Sequence, residues 1–402
     1  MGFKRFIATI NFVLPLCGYQ LVTTMFSSVM SAEGASRLVT VPYRAFALGV
    51  SICTFIIALK EPFRLAFGQK CLWGIWLIAA ICLIMNFGVL GKPASSEYLT
   101  TQYLFLFIIT GFTAFTITKS FRYIDAKLAI TLILIGTGVC SCMIISQNNV
   151  LMDEENLTRL SGNVALNPIG TGHLGLTTFL FSLFFIFRIN RLNKIFRFVI
   201  GFLAIIGFIV WMRAGSRGPI LASIIISFFF FISRSSNKLK SIFFLFLFFI
   251  GLYLCLDLIK DFIEDFSPIL YKRLFEREDQ LSDRSPLYLA AWNAFADSPL
   301  WGGTYALPLI AGKTYIYPHN FVLDALMQGG VIGGVLVCNL IYTICKNAMT
   351  AMRENGPIFI LSIYMIQSIS ANIITGTLYM NIEFFTLYTF VSLYLIRNKF
   401  SK

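Results

Sequence analysis

Apolar residues in this chain come in long unbroken runs, each followed by a short polar or charged break. A helix needs about 20 apolar residues to cross the hydrocarbon of a bilayer. About twelve stretches of that kind follow one another, at roughly 6–28, 44–59, 71–90, 99–118, 128–146, 169–187, 196–212, 219–233, 241–259, 320–344, 357–374 and 378–396. The first follows Lys4 and Arg5, as a signal peptide would. It is too long for such a segment and lacks a small-x-small cleavage signal, so it reads as a retained first helix. The pattern predicts an all-α polytopic membrane protein, one integral membrane domain over residues 1–402. It contains no internal repeat and no low-complexity tract.

The breaks between runs carry the topology. With a cytoplasmic N-terminus and alternating spans, the inside segments hold twenty of the 32 Lys and Arg but only Glu61, Asp125 and Glu354 of the 19 Asp and Glu. That asymmetry satisfies the positive-inside rule with both termini in the cytoplasm. Two outer connections stand out. Residues 260–319 form a large polar loop with a helical pattern around Tyr288–Ala296, and 147–168 form a smaller loop with the acidic run Asp153-Glu154-Glu155. A long ordered loop is usually functional.

Composition sharpens the class. The chain is 57% hydrophobic and 13% charged, with a mean hydropathy of +0.78. A soluble domain carries about 25% charged residues, so a soluble globule, a disordered chain and a nucleic-acid-binding domain are excluded. The net charge of +13 follows from topology and needs no nucleic-acid partner. Nine Cys lie mostly inside apolar runs, where they read as small packing residues rather than a disulfide framework. There is no HExxH, no Cys/His cluster and no phosphate-binding Gly loop, so neither a metal site nor direct ATP use is expected.

Three polar groups at membrane level remain to be explained, and such groups default to functional hypotheses. Arg213-Ala-Gly-Ser-Arg217-Gly-Pro219 joins two apolar runs at the outer face. Two arginines four apart, a tight Gly turn, Ser216 as a helix cap and Pro219 at the first helical position would make an anion site. The alternative is arginines snorkelling to headgroups. Asp283-Arg284-Ser285-Pro286, then Tyr288, Trp292 and Asp297-Ser-Pro-Leu-Trp-Gly-Gly303, read as a capped amphipathic helix ending at a Gly turn. It is either an interfacial anchor or a helix turning Arg284 inward. Tyr317-Pro318-His319-Asn320 opens the tenth span. His319 is a natural proton acceptor near neutral pH, or one half of a helix-capping pair. His173 reads as a packed helix residue, and Asp153-Glu154-Glu155 as a solvated loop.

Taken in order, Arg213-x-Gly-Ser-Arg217-Gly, Asp283-Arg284-Ser285 with Trp292, Ser298-Pro299-Leu300-x-Gly302-Gly303, Tyr317-Pro318-His319-Asn320 and Gln328-Gly329-Gly330 resemble the O-antigen ligase/polymerase superfamily. The motifs cover about residues 205–345, and the twelve-span layout extends the resemblance to the whole chain. The resemblance implies a GT-C-type glycosyltransferase fold with an undecaprenyl-diphosphate-linked oligosaccharide as donor. It also implies a periplasmic active site in the bacterial inner membrane, inversion at the anomeric carbon, no metal and no cofactor. By position, Arg217 and Arg284 match the arginines credited with holding the diphosphate, and His319 the functional histidine. Arg213, Ser216, Tyr317 and Asn320 would line the substrate. Arg159, followed by Ser161-Gly162-Asn163, is similar to an upstream arginine motif. Membrane lipids and a polysaccharide chain-length regulator are candidate partners.

The chemistry fits the residues independently. Breaking a sugar–diphosphate bond develops negative charge on the leaving group, and guanidinium groups in a low-dielectric site stabilise it. The motifs favour a polymerase of O-antigen repeat units over a ligase that transfers finished polymer to lipid A-core. A lipid-carrier transporter is the rival from another class. It is disfavoured because the polar residues cluster at one face and the two halves of the chain do not match.

Overall fold

The computed structural model describes residues 2–27, 36–89, 97–148, 150–152, 158–162, 166–189, 193–235, 243, 246–247, 250–251, 253–276, 284–305, 307, 317–377 and 381–400. Its helices are α1 (Phe3–Val13), α2 (Tyr19–Met25), α3 (Ser36–Ile57), α4 (Phe67–Leu83), α5 (Glu97–Ser120) and α6 (Ala126–Gln147). An antiparallel hairpin, β1 (Val150–Met152) and β2 (Thr158–Leu160), pairs Leu151 with Arg159. Then come α7 (Pro168–Arg188), α8 (Lys194–Arg213), α9 (Arg217–Arg234), α10 (Leu256–Phe266), α11 (Pro268–Tyr271), α12 (Ser285–Asp297), α13 (Phe321–Ala351), α14 (Pro357–Thr375) and α15 (Ile382–Phe400).

Eight segments among the described residues are long and apolar enough to cross a membrane: Phe3–Met25, Leu38–Ile57, Phe67–Asn86, Ala126–Gln147, Pro168–Arg188, Lys194–Arg213, Arg217–Arg234 and Phe321–Ala351. Each overlaps one of the expected runs, and the chain is an all-α polytopic membrane protein. Helices α5, α14 and α15 occupy the runs at 99–118, 357–374 and 378–396. Part of the run at 241–259 lies outside the described residues, as do Asp153-Glu154-Glu155, Asn163 and Asp283.

Local sequence explains the helix ends. Asp125 caps α6 by accepting from the N–H groups of Lys127 (3.0 Å) and Leu128 (3.1 Å). Asn167 caps α7 through Gly170 N–H at 2.9 Å, with Pro168 as the first helical residue. Asn148 ends α6 in the left-handed region at φ 44°. These are the residue types that caps require. Pro15, which has no N–H, loosens the first span into a π turn over Leu14–Gly18. The hydroxyls of Tyr43 and Tyr364 donate to the carbonyls of Leu14 (2.8 Å) and Leu16 (2.7 Å) in that turn. In hydrocarbon an unsatisfied backbone group costs several kcal/mol, so such caps are required.

The chain divides into two compact units. The first contains Met1–Cys53, Tyr123–Arg277 and Ala348–Gln367. Its densest packing joins α7 and α8, where a Cβ on Gly175 would lie 2.5 Å from the Trp211 backbone nitrogen. Small residues let helices approach where lipid supplies no hydrophobic drive. Leu160, Leu166, Leu174, Cys140, Ile144 and Val210 form a buried cluster that seats the β hairpin on α6–α8. The second unit contains Thr54–Arg122, Glu278–Asn347 and Ser368–Lys402. There Leu287 and Ala291 of α12 pack on Met327 of α13 and on Leu307.

Candidate functional site

In the first unit, α8 ends at Arg213 and α9 begins at Arg217, with only Ala214, Gly215 and Ser216 between them. Gly215 takes φ +58°, a conformation that costs a side-chain-bearing residue roughly 1–2 kcal/mol. A Cβ there would also lie 2.8 Å from Ile269 of α11. The sharp turn leaves carbonyls outside any helix, and arginines cover them. Arg159 donates through Nε to the Ala214 carbonyl and through Nη2 to the Gly215 carbonyl, both at 3.4 Å. Arg273 donates through Nη1 to the same Gly215 carbonyl at 3.3 Å.

Arg159 is placed by its neighbours. Ser161 Oγ donates to the Leu166 carbonyl at 3.0 Å, and Thr171 Oγ1 accepts from Gly162 N–H at 2.9 Å. The Arg-x-Ser-Gly stretch is therefore fastened to the first turn of α7. The structure brings Arg159, Arg213, Ser216 and Arg217 to one turn and adds Arg273. Arg273 sits in a π turn over Lys272–Glu276 that carries no motif. Its only sequence signal is a further cation on the side where the charge count leaves few.

Two expectations about this turn need correction. Ser216 stands at the N-cap position of α9 with extended backbone, but its side chain makes no capping bond. It is buried where Gly172 of α7 packs against Ala214, Ser216 and Pro219. Because α9 starts at Arg217, Pro219 is its third residue rather than its first. His173 lies beside the same helix start. Its Nε2 is buried without a hydrogen-bond partner among the described residues, 3.3 Å from where a Cβ on Gly218 would stand. Gln367 Nε2 donates to the His173 carbonyl at 2.7 Å and to Thr177 Oγ1 at 2.9 Å.

The second unit holds Arg284, Tyr317, His319 and Asn320. Helix α12 spans Ser285–Asp297, with Arg284 at its N-cap position and Pro286 in its first turn. Trp292 is exposed, whereas Leu287 and Ala291 are buried. At the entry to α13, Asn320 Oδ1 accepts from the N–H groups of Val322 (3.0 Å) and Leu323 (3.2 Å). Asn320 is thus the cap. His319 precedes it with φ +54°, a strained backbone for a non-glycine residue and one that clusters at functional sites. The Tyr317 ring meets the His319 ring edge-on, with centroids 4.7 Å apart.

Helix α13 is broken. Gly330 has φ 58° and ψ −148° inside it. The loop after α12 fills the gap. Val331 N–H donates to the Pro299 carbonyl at 2.8 Å, Gly303 N–H to the Gln328 carbonyl at 3.0 Å, and Thr304 N–H to the Met327 carbonyl at 3.1 Å. A Cβ on Gly302 would lie 2.5 Å from the Gln328 carbonyl carbon, and one on Gly330 would lie 2.5 Å from that of Leu300. The Ser-Pro-Leu-x-Gly-Gly and Gln-Gly-Gly stretches are therefore two faces of one joint.

One turn below His319, Asp324 is buried, accepting from Gln328 Nε2 at 2.8 Å and from Thr377 Oγ1 at 2.5 Å. Asp324 belongs to none of the sequence motifs, although a carboxylate inside an apolar run is itself a signal.

Residues 202–338, roughly a third of the chain, match the family model described as O-antigen ligase. No curated protein and no solved structure matches the chain. The matched stretch contains the turn between α8 and α9, α12, His319 and the break in α13. It supports the O-antigen ligase/polymerase superfamily that the sequence motifs resemble, and with it a membrane enzyme of the ligase or polymerase kind.

Proposed function

We propose that the chain is a membrane glycosyltransferase that polymerises undecaprenyl-diphosphate-linked O-antigen, or similar surface-polysaccharide repeat units. It would act on the periplasmic face of the bacterial inner membrane, with twelve crossings, a GT-C-type architecture and both termini in the cytoplasm. The observation that carries this reading is the arginine-clamped turn at Gly215. Arg159 and Arg273 donate to its carbonyls over 3.3–3.4 Å, near the long limit of a hydrogen bond. Phosphate oxygens are stronger acceptors for guanidinium groups, and such charge-assisted bonds are about twice as strong as neutral ones.

In the proposed reaction Arg217 and Arg284 hold the diphosphate, with Arg213, Arg159 and Ser216 at its margin. An acceptor hydroxyl oxygen attacks the anomeric carbon from the face opposite the leaving group. The carbon–oxygen bond to the diphosphate breaks, its electron pair leaves with the phosphate, and the configuration inverts. His319 takes the hydroxyl proton or orients it. Tyr317 and Asn320 would line the sugar. The guanidinium groups supply the charge stabilisation that a metal gives in other phosphate chemistry.

Ligation is the second reading, favoured by the description of the matching family model. The same residues would serve, with lipid A-core as acceptor. Purified protein given lipid-linked repeat units alone separates the two. Lengthening without core supports polymerisation, and transfer only when core is supplied supports ligation. Movement of the lipid across the bilayer with neither product would support a transporter. Replacing Arg217, Arg284 and His319 one at a time tests the residues, and full activity in all three variants would overturn the assignment.

A further inference from the structure

The second unit has a second charged region, remote from His319. A cavity of about 850 Å³ opens where α4 begins and where α5 and α15 end. Arg64, Lys119, Arg122 and Arg397 line it, with Glu61 as the one acid among the described lining residues. Glu61 is already engaged, since its carboxylate lies 3.6 Å from Arg122 Nη1 and its carbonyl accepts from Lys119 Nζ. The apolar part of the lining includes Phe67, Leu393 and Ile396. Arg64 and Arg397 are both exposed.

Contacts along α4 fix where this cavity lies relative to the candidate catalytic residues of the same unit. Gly68 packs on Thr343, Gly74 on Leu336, and Ile78 on Gly329. Asn86 Nδ2 then donates to the Gly303 carbonyl at 2.7 Å. Helix α4 therefore runs antiparallel to α13, from the cavity to the joint that follows α12. The span Phe67–Asn86 has 20 residues, about 30 Å of helix, which is the thickness of the hydrocarbon core. The cavity and the His319 end of this unit thus face opposite membrane surfaces. By the positive-inside count the cavity faces the cytoplasm.

We infer that this cavity binds an anionic phospholipid of the inner leaflet. Its phosphate would sit among Arg64, Arg122, Lys119 and Arg397, and an acyl chain would lie on Phe67, Leu393 and Ile396. Basic pockets between spans on the cytoplasmic side recognise anionic headgroups in this way. A solvated rim of cations would need neither the cavity nor the apolar lining. The site is independent of the reaction proposed above.

The test is native mass spectrometry of the full chain, released from nanodiscs holding equal amounts of phosphatidylglycerol and phosphatidylcholine. Wild type is expected to retain phosphatidylglycerol selectively. The pair Arg64→Gln with Arg397→Gln is expected to lose that retention by roughly thirtyfold, from about fivefold per cation. The pair Lys194→Gln with Arg197→Gln, on exposed residues of α8, removes the same charge elsewhere and is expected to change it little. A melting curve in detergent checks that both variants fold. Equal loss in the two pairs, or no preference for phosphatidylglycerol, overturns the proposal. So does saturation of the cavity by inorganic phosphate that leaves lipid retention unchanged.

Discussion

The turn between α8 and α9 and the break in α13 both free backbone carbonyls in a membrane protein, and they satisfy them in opposite ways. At Gly215 the donors are guanidinium groups of Arg159 and Arg273. At Gly330 the donors to the broken ladder are neutral backbone N–H groups of a loop. Long bonds to charged donors can be exchanged for an anion. Short bonds between backbones cannot, and they make a stiff support. In the proposed reaction the first region receives charge. The other is built to hold a residue at its tip: His319 sits on a helix start braced by Asn320, Asp324 and the 298–304 loop.

The contrast predicts different failures. Arg217→Ala and His319→Ala are expected to lower glycan transfer by about 10²–10⁴-fold while membrane insertion and melting stay near wild type. Arg217→Lys is expected to recover little, because an ammonium cannot reproduce the fork that meets two phosphate oxygens. Gly330→Ala is expected to do the reverse. A left-handed alanine with Leu300 in its path costs at least about 2 kcal/mol, read as a lowered melting midpoint in detergent, with activity falling only because less protein is folded.

Asp324→Ala strands the Gln328 amide and the Thr377 hydroxyl and is expected to cost about 1–3 kcal/mol. Asp324→Asn keeps one acceptor and is expected to recover part of that in the same melt. The smallest difference compares the two helix starts. Asn320→Ala removes a working cap and is expected to cost about 1 kcal/mol. Ser216→Ala removes no capping bond and is expected to stay within about 0.5 kcal/mol. Equal costs at the two positions would erase the distinction drawn between them.

Much of this was legible in the sequence. The apolar runs gave the spans because lipid demands unbroken helix, whereas the caps Asp125 and Asn167 show only in the folded chain. The Gly-rich stretches at 302–303 and 329–330 could be picked out by type, but not as one joint, since their pairing is long-range. Ser216 has the composition of a cap without the bond, because packing against Gly172 decided its side chain. Arg273 belongs to no motif and reaches Gly215 only through the fold. Asp324 was readable in principle, as a lone carboxylate in an apolar run, yet its partner Thr377 lies 53 residues away.

The proposed function requires the arginine turn to hold the diphosphate of a lipid-linked donor. Titrating undecaprenyl diphosphate into the purified full chain measures this apart from chemistry. Affinity is expected to fall about tenfold to a hundredfold in Arg217→Ala and to stay unchanged in His319→Ala. Equal affinity in wild type and Arg217→Ala would contradict the account.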